Sequence, residues 1–345
     1  MLVFDGIIFS LQKNGGISVY FAELWRRLAS LKCESRLLMY GDNEVSSVGK
    51  TGFRREDRDV RFLERYRNVA MKGSGLFHSS YYRNSRGGSY LNITTVYDFT
   101  YEKYMKAPSR WLHSWQKFEA IRHSDAVLCI SESTKSDLCE YLPDISVDRI
   151  FVTPLAAHEA FRTSAFHGMP DDYVVFVGSR VSYKNFPLLV NALGHLPGLR
   201  LMVVGGGQFS RDELTLLDSV LPGRYFHQGN VAIERLRDIY NRAQCLVYPT
   251  AYEGFGIPVL EAMAAGCPVI AMKSSSIPEV AGDAALLLER PDEEDLSDAI
   301  LRVSRSDVRQ ELIVRGIERA QLFSWETTFN KTRAVYEDLL GRTLQ

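Results

Sequence analysis

Short runs of apolar residues recur along the chain, each followed by a longer amphipathic or polar stretch. Leu2-Val3-Phe4-Asp5, Leu37 to Tyr40, Leu76-Phe77-His78, Ile93 to Tyr97 and Ala126 to Ile130 form a first series. Runs that are apolar throughout, rather than at alternate positions, suit strands covered on both faces. The intervening segments have helical character: Ser18 to Leu31 is amphipathic, and Ser131 stands where a helix cap is wanted. Alternation of this kind predicts a parallel sheet with helices on its faces. A second series begins near Tyr173 with Val174 to Gly178, Leu199 to Gly205, Tyr225 to His227, Cys245 to Tyr248 and Pro268 to Ala271. Gly168 and Pro170 interrupt regularity between the two series, so the boundary falls within Ala156 to Asp172. From Asp292 the pattern is helical to the end, with Ser324 as a cap and a last helix running to Leu340. The reading is a doubly wound α/β chain: one domain over 1–160, a second over 161–325, and a terminal helix over 326–345.

Length agrees with this division, because 345 residues exceed one ordinary domain and suit two of about 150. With 41 basic and 42 acidic residues the formal net charge is -1, which argues against nucleic acid as a partner. The bases are unevenly spread, however. Arg54, Arg55, Arg58, Arg61, Arg65, Arg67, Lys72 and Arg83 crowd the stretch from Lys50 to Arg86. Two readings stand for it: a docking face for anions, or a solvated loop and helix. Cys33, Cys129, Cys139, Cys245 and Cys267 show no paired or metal-like spacing, which suits a reduced cytosol. No apolar run is long enough to span a bilayer, and the amino terminus lacks the order of a signal peptide. The expected location is cytoplasmic, with peripheral contact at the inner face of the membrane through Arg54 to Lys72. Asp57-Arg58-Asp59 is a formal carboxylate pair in a charged loop, and no metal is expected there.

Glu253-Gly254-Phe255-Gly256-Ile257-Pro258-Val259-Leu260-Glu261 carries the most specific chemistry. It follows the apolar run ending at Tyr248-Pro249, so Glu253 sits just past the carboxyl end of a strand. Gly254 and Gly256 let backbone amides approach a ligand closely, and Pro258 suits a first helical turn. Glu261 is expected in that first turn, with Gly266 ending the helix. Two carboxylates beside exposed amides suit a polyhydroxyl ligand such as a sugar or a ribose, whose hydroxyls both donate and accept. Open parallel sheets bind ligands beyond the carboxyl ends of their strands. In the second domain that edge would collect Gly178-Ser179-Arg180, Lys184, Gly205-Gly206-Gly207, the Glu253 loop, and Ser274-Ser275-Ser276 before a capping-box helix at Glu279. Arg180 and Lys184 are the natural cations for a diphosphate. The three glycines do not complete a dinucleotide fingerprint.

The segment from Glu253 through Glu261 to Val269 resembles the signature of retaining glycosyltransferases of family 4, which have the two-domain GT-B fold. Asn14-Gly15-Gly16-Ile17, Thr95-Val96-Tyr97-Asp98, Ile130-Ser131-Glu132-Ser133, Val177-Gly178-Ser179-Arg180 with Lys184-Asn185, and Ile277 to Gly282 extend the resemblance over nearly the whole chain. It implies two Rossmann-like domains facing a cleft, with the terminal helix returning to the first. It also implies transfer of a hexose, by front-face departure and attack, from a nucleotide diphosphate sugar to a glycan hydroxyl. Similarity to enzymes that build bacterial surface polysaccharide points to GDP-linked mannose, rhamnose or perosamine, and to a lipid-linked glycan acceptor. No cofactor is implied, the nucleotide sugar being a substrate.

By the same resemblance Lys184 and Arg180 would meet the leaving phosphate, although the arginine often stands at another offset in relatives. Glu261 would hold the ribose, Glu253 the transferred sugar with the Gly254, Phe255 and Gly256 amides, and Gly15 and Gly16 would lie against the diphosphate at a helix amino end. Many relatives carry His-Asp where this chain has Tyr97-Asp98. Asp98 then either orients a hydroxyl or caps the following turn. His113, His123 and His227 gain no role from sequence. Two other functions remain open at this point, a nonhydrolysing sugar-nucleotide epimerase of the same fold and a sugar-nucleotide binding protein that has lost catalysis.

Overall fold

The computed structural model describes residues 1–12, 15–31, 33–41, 54–106, 108–162 and 170–344. Asn14, Lys50 and Gly168, used in reading the sequence, lie outside them. The chain divides into two compact units, one of residues 1–155 with 324–345 and one of residues 156–323. The junctions fall a few residues earlier than 160 and 325. Phe161 packs its ring against Tyr240, 6.0 Å between centroids, which places it in the second unit.

The first unit is built on seven parallel strands, β1 (Leu2–Asp5), β2 (Ser35–Tyr40), β3 (Arg54–Arg58), β4 (Ser74–Ser79), β5 (Ser89–Val96), β6 (Ala126–Cys129) and β7 (Ile150–Val152), in the order β3-β2-β1-β4-β5-β6-β7. Its central strands are buried on both faces, as their uninterrupted apolar runs require. Helix Gly16–Leu28 turns Tyr20, Phe21, Leu24, Trp25 and Leu28 inward. The terminal helix, Trp325–Leu340, is capped by Ser324, whose hydroxyl accepts from the Thr327 amide at 3.0 Å. It belongs to this unit. Its Tyr336 hydroxyl meets His78 Nδ1 at 2.5 Å, and the other ring nitrogen meets Thr95 at 2.8 Å. Burial lowers the His78 pKa to about 3, so this ring is a neutral strut.

Two expectations for the basic segment are corrected here. Arg54-Arg55-Glu56-Asp57-Arg58 is not a loop but the edge strand β3, paired with β2 from Arg36 opposite Arg54 to Tyr40 opposite Arg58. It has no apolar residue to signal a strand, since an edge needs only backbone pairing and charged side chains discourage further pairing. Its charges are spent locally: Arg55 on Asp57 at 2.6 Å and Arg58 on Glu56 at 2.6 Å. Arg83 is likewise no surface cation. Its side chain is 1% exposed and bonds Glu64 at 2.9 Å, the Arg67 carbonyl at 2.7 Å and Asp5 at 3.4 Å. Burial pushes the Asp5 carboxyl above its ordinary value, against the pull of Arg83.

The second unit has six parallel strands, β8 (Tyr173–Val177), β9 (Arg200–Val204), β10 (Tyr225–Gln228), β11 (Leu246–Tyr248), β12 (Val269–Met272) and β13 (Leu286–Leu288), in the order β10-β9-β8-β11-β12-β13. Its core joins Val174, Phe176, Leu201, Val203 and Val247 to Leu189 and Leu193 of helix Phe186–Gly194 and Ile300 of helix Glu293–Val303. From β8 the chain builds outward through β9 to β10, then crosses back to lay β11 on the other side of β8, Val175 opposite Leu246. The winding reverses between β8 and β11, the place where a doubly wound sheet receives its ligand.

Replacing Arg83 by Met should cost about 3–5 kcal/mol in urea unfolding, because it strands Asp5 and Glu64 without their cation. A loss below about 1 kcal/mol would show that the network does not depend on Arg83.

Candidate functional site

The loop after β8 begins at Gly178, whose φ of +115° suits glycine. It continues through Arg180 to the single turn Ser182–Lys184, and Asn185, at φ +50°, leads into helix Phe186–Gly194. The loop after β11 carries Thr250 and Glu253 to Gly256, which at φ +93° is the amino-terminal cap of helix Ile257–Ala264. A side chain at Gly256 would meet Ile277 Cδ1 at 2.7 Å, so glycine is needed there for space as well as for φ.

These loops are stitched together across the switch point. The Lys184 ammonium meets Glu253 Oε1 at 2.9 Å, both side chains largely shielded at 12% and 17% exposure. The Ala251 amide donates to the Tyr183 carbonyl at 2.8 Å, and the Asn185 side chain to the Pro249 carbonyl at 2.8 Å. Lys184 Nζ also lies 5.6 Å from the centre of the Tyr248 ring. Burial, and then the Glu253 carboxylate, push the Tyr248 phenol well above its ordinary pKa.

Ser274-Ser275-Ser276 arrive at the same edge after β12, but not as a capping box. Ser276 makes no side-chain cap to its own short helix. Its hydroxyl donates to the Glu253 carbonyl at 2.9 Å, Ser274 donates to the Thr250 carbonyl at 2.9 Å, and the Glu253 amide donates to Ser275 at 2.8 Å. The serines thus hold the Glu253 loop. The sequence signalled a helix start but not this use, which depends on β12 lying beside β11.

The two predicted cations are not equivalent. Lys184, 12% exposed, meets the Glu253 carboxylate at the switch point, whereas the Arg180 side chain is 3% exposed and committed to other surroundings. It bonds Glu213 at 2.8 Å and the carbonyls of Gly205, Gly207 and Gln208 at 2.9–3.2 Å, with its guanidinium 4.6 Å from the Phe209 ring centre. Gly205, Gly206 and Gly207 all have φ between +72° and +78°. Arg180 is what holds that left-handed run in place, and a side chain on Gly206 would strike the Gly178 carbonyl at 2.5 Å.

Glu261 is the fifth residue of its helix, one turn further in than the first turn expected from sequence. The helix starts only at Ile257, because Gly256 is still left-handed. Glu261 accepts from the Tyr240 hydroxyl at 3.3 Å. Burial raises its pKa to about 7, the Tyr240 bond opposing. Phe255 is buried, its ring against that of Phe323, 5.8 Å between centroids.

Gly15, Gly16 and Asp98 lie in the first unit. Gly15 caps helix Gly16–Leu28 with extended backbone, φ −173°, a conformation open to any residue. Asp98 Oδ1 accepts from the Thr100 amide at 2.8 Å, which holds the following turn, and Lys117 bonds its carbonyl at 2.8 Å; these contacts do not bear on the other reading, in which Asp98 orients a hydroxyl. Tyr97 is buried, edge-on to Tyr20 at 6.2 Å, its phenol pushed well above the ordinary value by burial. Among the described residues no group of three or more His, Cys, Asp or Glu is arranged to hold a metal, and no helix is long and apolar enough to cross a membrane.

Residues 158–321 match the family described as "Glycosyl transferases group 1". The chain is 30% identical over 239 residues to "O-antigen chain mannosyltransferase B" of Escherichia coli, an alignment covering 64% of this chain and 62% of that protein. It therefore spans about three fifths of that relative's length. Among solved structures, HepE of Anabaena with UDP and glucose superposes with a TM-score of 0.74 at 14% identity, over 98% of this chain and 99% of that one. WaaG, "a glycosyltransferase involved in lipopolysaccharide biosynthesis", superposes with a TM-score of 0.70 at 15% identity, over 99% and 100%.

Glu261 supplies a test of the site's electrostatics. Its folded value of about 7 lies above the ordinary 4.5, so between those pH values the folded chain keeps a proton the unfolded chain has released. Stability from this group is present below pH 4.5 and is lost as pH rises towards 7. The melting point of Glu261→Gln should therefore match the wild type in acid and exceed it by a few degrees, roughly 2–4 °C, above neutrality. A difference that does not vary with pH would refute the buried-carboxylate account.

Taken together, the loops, the winding and the matches identify residues 158–321 as a glycosyltransferase group 1 domain, in a chain of GT-B fold homologous to O-antigen mannosyltransferases of Escherichia coli.

Proposed function

We propose that the chain is a retaining hexosyltransferase of family 4, moving a sugar from a GDP-linked donor to a hydroxyl of a growing, lipid-linked bacterial surface glycan. The observation that carries this reading is the Lys184–Glu253 pair at 2.9 Å across the switch point of the second sheet. A cation and a carboxylate are there fixed at the place where an α/β sheet receives its ligand. Similarity to a mannosyltransferase favours a GDP-sugar, and the HepE structure with UDP and glucose makes UDP the comparison to run.

In the proposed reaction the Lys184 ammonium meets negative charge as it builds on the departing phosphate. An ammonium carries three donors, and Glu253 holds one of them, which fixes the nitrogen before substrate arrives. Glu253 accepts from hydroxyls of the transferred sugar, with the Gly254, Phe255 and Gly256 amides donating beside it. Glu261 accepts from the ribose hydroxyls. Arg180 acts at one remove, by holding the Gly205–Gly207 run against Gly178. The leaving phosphate oxygen takes the acceptor's proton, so the proposal needs no protein base where Tyr97 is buried and neutral, and it includes no metal.

Lys184→Ala should lower kcat by about 100-fold or more while changing donor affinity only a few-fold, since the charge matters most as the phosphate leaves. Equal losses in kcat and binding would remove Lys184 from that role. Glu261→Ala should weaken nucleotide binding, read as a smaller thermal shift with GDP. Across GDP, UDP, ADP and dTDP, the largest shift should come with GDP. Mass analysis of products then decides the reaction: glycan extended by one hexose supports transfer, isomerised donor indicates an epimerase, and donor bound but never consumed indicates a binding protein.

A further inference from the structure

Large apolar side chains are exposed on two neighbouring outcrops of the first unit. On helix Ser109–Arg122, Trp111, Leu112 and Trp115 are 68%, 47% and 59% exposed, while Gln116, Lys117, Ala120 and Ile121 are buried. At these spacings the three apolar residues share one face of the helix. The stripe ends a turn later, where Glu119 lies within 4.0 Å of Arg122 and 3.7 Å of His123. The second outcrop is the tip after β3, where Val60, Phe62 and Leu63 are 57%, 81% and 52% exposed.

The tip is held in this position by the interior. Leu63 has φ +57°, a left-handed conformation that a leucine adopts only when its surroundings impose it. What imposes it is Glu64, drawn inward to Arg83 at 2.9 Å and bonded to Arg61 at 2.7 Å, so that Leu63 and Phe62 turn outward. The Gln116 amide binds the Arg65 carbonyl and, at 3.2 Å, that of Tyr82, which ties tip and helix side by side. Arg65 lies 4.9 Å from the centres of the Tyr66 and Tyr81 rings, and Tyr81 packs against His113 of the helix at 6.1 Å.

Exposed cations border these apolar residues: Arg61 and Arg67 on the tip and Lys106 just ahead of the helix, with Asp59 the exposed acid of the tip. Tryptophans beside cations, with apolar residues between, fit the boundary of a bilayer, where indole sits at headgroup depth and arginines meet lipid phosphates.

We propose that the first unit docks on an anionic phospholipid bilayer through this ridge, with Trp111, Trp115 and Phe62 entering the headgroup region. This moves the contact expected from sequence away from the ion-paired edge strand and onto the tip and the tryptophan helix. The inference deepens the reading of a lipid-linked acceptor without resting on it, because vesicles that carry no glycan decide it.

The test uses the intact chain and vesicles of phosphatidylcholine with or without phosphatidylglycerol. The four tryptophans divide evenly: Trp25 and Trp325 are buried, and Trp111 and Trp115 are exposed. Flotation with the anionic vesicles and a blue shift of emission are expected. The Trp111→Ser, Trp115→Ser double variant should keep its melting point, lose the shift and bind at least about tenfold more weakly. Leu322→Ser, at an exposed site of the second unit, should bind as the wild type does. Absence of flotation, or a double variant that floats normally, would overturn the proposal. So would a dimer in solution that the double variant dissociates while the wild type ignores both vesicles, since the ridge would then join two copies of the chain.

Discussion

A parallel sheet returns its chain to the same end after every strand, so all the outgoing loops of the second unit leave from one edge. The reversal falls between β8 and β11, and the Lys184–Glu253 pair joins the two loops that leave them. The rest of the site follows from that constraint. The serines of the next loop can hold the Glu253 backbone because β12 lies beside β11. The glycine run after β9 can approach Gly178 because β9 lies on the other side of β8.

Each unit braces a loop with a buried arginine. Arg180 gathers three carbonyls and Glu213 in the second unit. In the first, Arg83 gathers Asp5, Glu64 and the Arg67 carbonyl. A guanidinium suits this because its five donors lie in a rigid plane and its charge survives partial burial when carboxylates accompany it. The consequences differ. Arg180 leaves Lys184 as the cation that meets Glu253 at the switch point, whereas Arg83 draws Glu64 in and thereby turns Leu63 and Phe62 out to the surface.

Much of the architecture was legible in the chain. Apolar runs located the central strands, and Ser131 and Ser324 cap their helices where expected, accepting from Thr134 and Thr327. Three strands of the two large sheets escaped. Arg54–Arg58 carries no apolar residue, while Ile150–Val152 and Leu286–Leu288 are too short to stand out from neighbouring loops. At the site, the Glu253 loop and Lys184 could be read from their places after apolar runs. Asn185, Thr250, Tyr240 and Tyr248 could not, because each acts through a partner distant in sequence.

Residue order therefore fixed the period of the elements, the left-handed turns at Gly256 and Gly266 and the nearness of Glu253 and Glu261 to a strand end, since all of these depend on local chain geometry, although Gly254, also expected to be left-handed, is not. Which cation meets Glu253 at the switch point was settled by packing. Arg180 reads as a cation for a diphosphate, and Arg83 as one of a basic stretch, until folding surrounds them with acceptors, and the Ser276 hydroxyl serves the Glu253 loop rather than its own helix. Such outcomes depend on which strands become neighbours, a property of the folded chain that no local pattern contains.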